Sequence, residues 1–237
     1  MAMPRDERKD ADSTPRRVVR PSVREGYDRW AATYDATPNP LVALDRRVAL
    51  PLLAPRPGEA VLDAGAAAGV HLRRLAEART RPVGLDFSLG MLRHARARAP
   101  RASLVRADLN RPLPIAPGAF DAVISCLVSE HLTDLGRFFA EAFAALRRGG
   151  RLVFSAFHPE LARAGVEANF ESEGTEYRLG AERHGLDDYL GRIADAGFAH
   201  LRWREHRGDA ALAATVPAAA KYVGKPLLVV IHAERPA

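Results

Sequence analysis

The sequence predicts an α/β fold with a mostly parallel sheet packed between helices. From Glu59 onward, short apolar runs alternate regularly with stretches of helical periodicity, which is typical of repeated β-α units. With 237 residues and 47% hydrophobic content, the chain is long enough to bury the core of one such domain. Because β-α crossovers are right-handed, the loops that follow the strands gather at one edge of the sheet. A ligand site is therefore expected along the carboxyl ends of the strands.

The alternation predicts each element of the domain in turn. The first five strands are expected at 60–63, 82–85, 102–106, 120–125 and 151–156, with helices at 69–77, 88–97 and 133–146. The regular pattern stops at 158–185, where a glycine-rich insertion or cap holds one strand-like piece at 175–179. A helix at 186–196, a strand at 199–203 and a final strand at 226–233 follow, and 210–220 is either helix or loop. Residues 21–237 are thus predicted to form a single domain.

The N-terminal region shows three kinds of pattern. Residues 1–20 mix charges of both signs without apolar periodicity and are expected to be disordered. A short helix follows, with an apolar face made of Tyr27, Trp30, Ala31 and Tyr34. A second helix begins near Leu41, and either stops before Pro51 or bends there and ends by Pro55.

Composition narrows the class of protein. The formal charge of +6 comes almost entirely from arginines spread among 29 acidic residues, without the aromatic-interleaved cluster of a nucleic-acid surface. The lone Cys126 excludes an internal disulfide and a cysteine-rich zinc site, and no other metal site is expected. The first residues lack the apolar core of a secretory signal, and no apolar run is long enough to span a membrane. We therefore expect a cytoplasmic protein that binds neither nucleic acid nor membrane.

The stretch from Val61 to His71 carries the strongest motif. Its pattern is Asp63-x-Gly65-x-Ala67-x-Gly69, a strand that ends in a carboxylate and leads through small residues into a helix. A dinucleotide fingerprint would need glycine at positions 67 and 70, which hold alanine and valine. A carboxylate at the end of the strand suits a ligand ammonium better than a pyrophosphate, which it would repel. This turn is therefore predicted to bind a small ligand that carries a positive charge.

Two further acidic residues follow that turn in the sequence. Asp86 ends the second strand and could accept both hydroxyls of a ribose, although it could equally cap the helix after Ser88. Asp108 follows the third strand and could be an ordinary turn acid before Pro112.

Together these motifs resemble the class I S-adenosylmethionine-dependent methyltransferases, especially the branch of ubiquinone, menaquinone and small-molecule methyltransferases. The resemblance covers 27–35 and 61–157, with a fainter match at 224–227, and departs from the family pattern at Ala67, where glycine is common. It implies a Rossmann-like three-layer sandwich whose seven strands lie in the order 3-2-1-4-5-7-6, with the last strand antiparallel. It also implies S-adenosylmethionine as the cofactor.

The resemblance assigns roles to residues that match the family motifs. The methionine end would lie against Asp63, Gly65, Ala67 and Gly69, and against the backbone near Ser125 and Cys126. The ribose would lie at Asp86 and Phe87, and the adenine at Asp108 and Leu109. Tyr27, Trp30 and Tyr34 would shield the sulfonium with their ring faces, and Arg29 would pair with the methionine carboxylate.

Methyl transfer requires a positioned acceptor and, for some acceptors, a base. His158, directly after the fifth strand, is the first candidate for the base, and a turn that caps a helix is the equal alternative. His131 is the second candidate, with a structural or pocket-lining role as the alternative. Lower-ranked candidates for the base are Glu160, His184 and Tyr177.

The predicted function is methyl transfer to an oxygen, nitrogen or carbon of a small-molecule acceptor, by a monomer or homodimer. The first alternative is an adenosylmethionine-binding protein without methyl transfer, either cyclase-like or regulatory, because every recognised motif binds the cofactor. A nucleic-acid methyltransferase is less favoured, since Ser125-Cys126-Leu127-Val128 stands where such enzymes carry an Asn/Asp-Pro-Pro motif. A dehydrogenase is the remaining alternative.

Overall fold

The computed structural model describes residues 17–36 and 38–237. In chain order, the elements are β1 (Arg17–Val19), α1 (Val23–Trp30), α2 (Pro40–Leu53), β2 (Ala60–Ala64), α3 (Val70–Glu77), β3 (Arg81–Asp86), α4 (Leu89–Arg98), β4 (Ser103–Arg106), β5 (Phe120–Cys126), α5 (Leu135–Ala145), β6 (Leu146–Phe157), α6 (Pro159–Arg163), β7 (Asn169–Ser172), β8 (Thr175–Arg178), α7 (Leu186–Asp195), β9 (Ala199–Arg207), α8 (Ala210–Thr215) and β10 (Pro226–Glu234). Short 3-10 turns cover Ser129–His131 and Pro217–Tyr222. No helix within the described ranges has both the length and the apolar character needed to cross a membrane.

A seven-stranded sheet forms the centre, in the order β4-β3-β2-β5-β6-β10-β9. The pairs from β4 to β6 are parallel, whereas β10 runs antiparallel to both β6 and β9. Counted from β2, this is the order 3-2-1-4-5-7-6, which confirms the predicted topology. The reversal of strand order beside β2 leaves a crevice at the carboxyl ends of β2 and β5, the usual ligand position in such sheets.

Alternation along the central strands sends side chains to two separate cores. Leu62, Val123 and Phe154 point to the face covered by α5 and α7, where Phe138, Phe139 and Ile193 are buried. Their neighbours Val61, Ile124 and Val153 point to the opposite face, covered by α2 and α8. Each large side chain buried this way stabilises the fold by about 1.5–3 kcal/mol.

Helix α1 lies above the carboxyl edge of the sheet and is stabilised by polar contacts within the helix and with α4. Ser22 and Glu25 form a capping box at its start. On the sheet side, Oδ1 of Asp28 accepts hydrogen bonds from the Ser88 hydroxyl at 2.7 Å and the Gly90 N–H at 3.0 Å. These bonds tie α1 to the start of α4 and so place its aromatic side chains over the ends of the strands.

The N-terminal strand β1 and two strands of the insertion after β6 form a second sheet, in the order β1-β8-β7. Strand β1 pairs in parallel with β8, so residues 17–19 are ordered, and the prediction of a disordered tail was wrong for them; residues 1–16 lie outside the described ranges. The partner of β1 lies more than 150 positions away in the chain, and local composition does not reveal such a pairing. The ring of Phe170 stacks between Trp30 of α1 and Tyr177 of β8, at centroid distances of 5.1 and 4.9 Å.

The predicted element boundaries need two corrections. Strand β6 begins at Leu146 rather than 151, because Leu146 already pairs with Phe120 of β5. Strand β9 continues past 203 to Arg207 along β10. Helix α2 contains Pro51 and ends at Leu53, as the second predicted alternative allowed, so the missing N–H affects only its last turn.

Candidate active site

The turn after β2 is locked onto the end of β3. The N–H groups of Gly65 and Ala66 both donate to the carbonyl of Leu85 at 2.9 Å, and the N–H of Ala67 donates to Oδ2 of Asp86 at 2.9 Å. Gly65 and Gly69 have φ values of 91° and 79°, in the region that favours glycine. A Cβ at Gly65 would collide with the side chain of Val128. Gly65 is therefore required both by its backbone geometry and by the close approach of Val128, and Gly69 by its backbone geometry and the close approach of Ala95 on α4.

Ala67 has the same kind of backbone with a side chain attached. Its φ is 43°, a left-handed conformation that costs an L-residue roughly 1–2 kcal/mol. The departure from glycine noted in the sequence thus introduces local strain at the centre of the motif.

A cavity lies between this turn, the carboxyl ends of β3 to β5, and helices α1 and α2. It is lined by Tyr27, Tyr34, Val42, Asp45, Arg46, Gly65, Ala66, Ala67, Ala68, Val70, His71, Asp86, Phe87, Ala107, Asp108, Leu109, Asn110, Cys126, Leu127, Val128, His131 and Leu132. The structure therefore brings together most of the predicted cofactor residues, from Tyr27 at one wall to Asp108 and Leu109 at another.

Asp86 is the best-placed acceptor in the cavity. Its two oxygens accept from the N–H groups of Ser88 and Ala67 at 2.8 and 2.9 Å, which fixes the carboxylate plane. Burial raises the pKa of Asp86 to about 6, despite the opposing effect of these two hydrogen bonds. The side chain keeps free lone pairs toward the cavity, because each carboxylate oxygen can accept more than one hydrogen bond.

Asp63 lies behind the turn rather than in the cavity wall. It is 1% exposed, and its Oδ2 has no hydrogen-bond partner. Burial raises its pKa to about 8, with further contributions from the charges of Asp86 and Asp45. Asp45, on α2, is itself 2% exposed and lines the cavity. Because of its raised pKa, Asp63 is mostly protonated at pH 7, and the negative potential that favours a cationic ligand comes from Asp45 and Asp86.

An aromatic and imidazole pair forms another wall. The Tyr27 hydroxyl lies 3.0 Å from Nε2 of His131, and the two rings meet edge to face. Burial lowers the pKa of His131 to about 4, so its imidazole is neutral at pH 7. The adjacent Glu130 is buried with Oε2 unpartnered, and burial raises its pKa to about 8. The pair is therefore neutral at pH 7 and adds no positive charge beside a cationic ligand.

Besides Asp63 and Gly69 of the turn and Trp30 of α1, none of which lines the cavity, three predicted site residues do not reach it. His158 is 6% exposed, accepts from the N–H of Glu160 as the cap of α6, and has Nε2 3.0 Å from Oε1 of Glu205. Arg29 lies over the ring of Tyr177 at 6.0 Å, on the cap side of α1. The Ser125 hydroxyl donates to the carbonyl of Ala64 at 2.8 Å inside the sheet. For His158, this geometry agrees with the alternative of a helix cap and offers no contact with a bound acceptor.

Several lining residues were missed by the sequence analysis. Asp45, Arg46 and His71 extend the cavity at the end farthest from Asp108, and Asn110 lies beside Asp108. A signal for Asp45 was present, since Leu41, Asp45 and Val48 fall at helical spacing on one face. A carboxylate on an otherwise apolar face indicates a buried polar role.

The fold is a Rossmann-like α/β domain with a cavity at the carboxyl edge of its sheet. Residues 62–154 match the family model described as "Methyltransferase domain". The chain is 36% identical over 135 residues to a demethylmenaquinone methyltransferase of Beutenbergia cavernae, a match that covers 55% of this chain and 56% of that relative. The match thus spans less than two thirds of the relative's length.

Solved structures show the same fold. A crystal structure of an S-adenosylmethionine-dependent methyltransferase from Mesorhizobium loti aligns with a TM-score of 0.68 at 24% identity, covering 81% of this chain and 97% of that one. The [4+2]-cyclase SpnF aligns with a TM-score of 0.67 at 19% identity, covering 93% and 99%. Because one fold hosts both kinds of protein, the assignment of an activity depends on the site itself.

Proposed function

We propose that this protein binds S-adenosylmethionine in the cavity and transfers its methyl group to a small-molecule acceptor. The observation that carries the proposal is the joint placement in one cavity of Asp86, fixed as a diol acceptor, and Asp45, a second buried carboxylate. A ribose and a cationic centre are the two features that such a site recognises, and S-adenosylmethionine has both.

The residues present fit this cofactor along its whole length. Asp86 would accept the two ribose hydroxyls, with Phe87 beside the ring. Asp108 would accept from the exocyclic amine of the adenine, and the N–H of Leu109 would read the ring. Because Gly65 has no side chain, the turn can lie close to Val128, and no side chain at this position lies in the ligand's path.

The sulfonium charge would be stabilised from two sides. Asp86 at the end of β3 and Asp45 on α2 supply negative charge, and Asp63 adds to it as it ionises near pH 8. Tyr27 and Tyr34 line the cavity from α1 and the segment after it, and aromatic faces attract cations by roughly 0.5–2 kcal/mol. Neutral His131 adds no opposing charge.

When bound, S-adenosylmethionine supplies an electrophilic methyl group and a neutral leaving group, so the chain's task is chiefly to orient an acceptor. Tyr27 and His131 are the polar side chains best placed for this work. The Tyr27 hydroxyl can donate to or accept from an acceptor heteroatom, while His131 fixes its direction through the 3.0 Å hydrogen bond. Its pKa of about 4 makes His131 a weak proton acceptor, so its part in the proposal is to position Tyr27.

The acceptor is proposed to be a small molecule and the protein to be cytoplasmic. The cavity is enclosed by α1 and α2, and its walls hold a few polar groups among apolar ones, which is typical of small-molecule sites.

The test uses purified protein and S-adenosylmethionine labelled in the transferred methyl group, incubated with a panel of phenols, amines and carboxylic acids. We expect label to appear in at least one acceptor class and S-adenosylhomocysteine to form in equal amount. Saturable binding without transfer to any acceptor would instead support an adenosylmethionine-binding protein that does not methylate.

A further inference from the structure

Three metal-ligating side chains converge at the end of the cavity farthest from Asp108. Asp45 comes from α2, His71 from α3 and Cys126 from the end of β5, and all three line the cavity. One ligand atom from each lies within 4.8 Å of the other two. No role proposed above requires this combination of a carboxylate, an imidazole and a thiol.

The spacing within the cluster suits shared coordination better than a hydrogen bond. Oδ2 of Asp45 lies 3.4 Å from Nε2 of His71. Nε2 is buried and makes no hydrogen bond, so the pair is close but not bonded. Two ligand atoms bound about 2.0–2.1 Å from a tetrahedral zinc ion lie roughly 3.3 Å apart.

A second contact fixes the orientation of the carboxylate. The Ser155 hydroxyl, fully buried, donates to Oδ1 of Asp45 at 2.5 Å. Oδ2 is thereby left to face His71. Hydrogen bonds from outside the coordination shell orient ligating carboxylates in the same way at known metal sites.

The charges around the cluster favour a cation. Asp45 is almost fully buried and Asp86 adds negative charge nearby, while Arg46 and Arg74 are the positive groups that face His71. Burying a carboxylate without a bonded cation is unfavourable. Burial also raises the pKa of the Cys126 thiol, which a bound metal would reverse because it coordinates the thiolate.

We propose that Asp45, His71 and Cys126 bind a divalent metal ion of the zinc type, with the fourth coordination position open to the cavity. A thiolate and an imidazole select Zn²⁺ or Co²⁺ over Mg²⁺ and Ca²⁺. Three protein ligands and an open position are the arrangement of zinc sites that also bind a substrate or water. This site exists whether or not the cavity catalyses methyl transfer.

The test uses the full chain without an affinity tag, dialysed against a chelator and then titrated with Co²⁺ as an optical probe. We expect one equivalent of Co²⁺ to bind and to produce a thiolate-to-cobalt charge-transfer band that Zn²⁺ abolishes by competition and Mg²⁺ does not. Because Cys126 is the only cysteine in the chain, the band can arise from no other thiol. A titration of the native protein without this band would overturn the proposal.

Variants then test each ligand. Cys126→Ser should remove the band, and Asp45→Asn or His71→Gln should weaken Co²⁺ binding more than tenfold. Ser155→Ala should weaken it by about tenfold, as expected for loss of an orienting hydrogen bond. His94→Gln, at an exposed position on α4 outside the cavity, is the matched control and should bind like the native protein. Native-like affinity in His71→Gln would contradict the assignment, and far-ultraviolet circular dichroism verifies that each variant is folded.

Discussion

The phenol oxygen of Tyr27 lies 3.0 Å from Nε2 of His131, a contact between residues 104 positions apart in the chain. It joins α1 to the turn after β5 across the proposed sulfonium position. Because Asp28 anchors α1 on Ser88 and Gly90, the tyrosine is held from both directions. In the proposed function, this contact gives α1 a role in positioning the acceptor as well as in covering the cavity.

Replacement of Tyr27 by phenylalanine should lower kcat by up to about 100-fold, because the acceptor loses its orienting hydroxyl. The Kd for S-adenosylmethionine should change much less, since the ring that faces the sulfonium is retained. Steady-state kinetics and calorimetry separate the two effects. Tyr222→Phe, outside the cavity, serves as the control; equal kcat values for the two variants would remove Tyr27 from the mechanism.

Replacement of His158 by alanine should affect stability more than turnover. The variant loses the cap of α6 and the contact with Glu205, and removal of a helix cap typically costs about 0.5–2 kcal/mol. Chemical denaturation measures the loss, with His131→Ala compared for kcat. A large fall in kcat for the folded His158→Ala protein would restore the histidine as the base that the sequence favoured.

The stability of the free protein should fall as pH rises from about 6.5 to 8. Asp63 and Glu130 have pKa values near 8 when folded, so in this window the folded protein holds protons that the unfolded chain has released. Each group contributes a slope of at most about 1.4 kcal/mol per pH unit. Below 6.5, the lowered pKa values of His71 and His131 act in the opposite direction, because the unfolded chain binds protons there.

Thermal unfolding across this pH range, with and without ligand, tests the origin of the slope. The cationic S-adenosylmethionine should stabilise the protein more at pH 8 than at pH 6.5, because it binds the ionised carboxylates. Neutral-sulfur S-adenosylhomocysteine should show a smaller difference. Asp63→Asn should flatten the slope of the free protein; an unchanged slope would show that Asp63 does not titrate in this window.

Replacement of Ala67 by glycine should raise stability slightly. Glycine removes the strain of a left-handed alanine but gives the unfolded chain more conformational entropy. The net increase in the free energy of unfolding should be at most about 1 kcal/mol. Gly65→Ala should do the opposite, because its Cβ meets Val128 at a positive φ. Differential scanning calorimetry of the two variants gives the comparison, and a destabilised Ala67→Gly protein would show that the turn is not strained there.

The strands and the turn after β2 could be predicted from the sequence, because both depend on local patterns. Asp86 is the last residue of β3 and Asp108 lies two residues after β4, so the strand pattern alone places both at the carboxyl edge of the sheet. The resemblance to a known family then supplied the strand order and the nature of the ligand.

Other parts of the site depend on contacts between distant segments. The pairing of β1 with β8, and the approach of Asp45 to His71 and Cys126, join residues whose separation in sequence carries no periodic signal. The position of His158 shows the same limit. Its place directly after β6 suggested the cavity, but the side chain turns back to cap α6 and meets Glu205 of β9.

The central claim is that the cavity binds S-adenosylmethionine through Asp86. Isothermal calorimetry of S-adenosylmethionine with the native protein, Asp86→Asn and the control Asp195→Asn tests it most directly, since Asp195 lies on the exposed side of α7. We expect one saturable site that S-adenosylhomocysteine competes for, and roughly 10–100-fold weaker binding in Asp86→Asn alone, as for loss of hydrogen bonds to a charged group. Absence of saturable binding to the native protein, or equal affinity in Asp86→Asn, would contradict it.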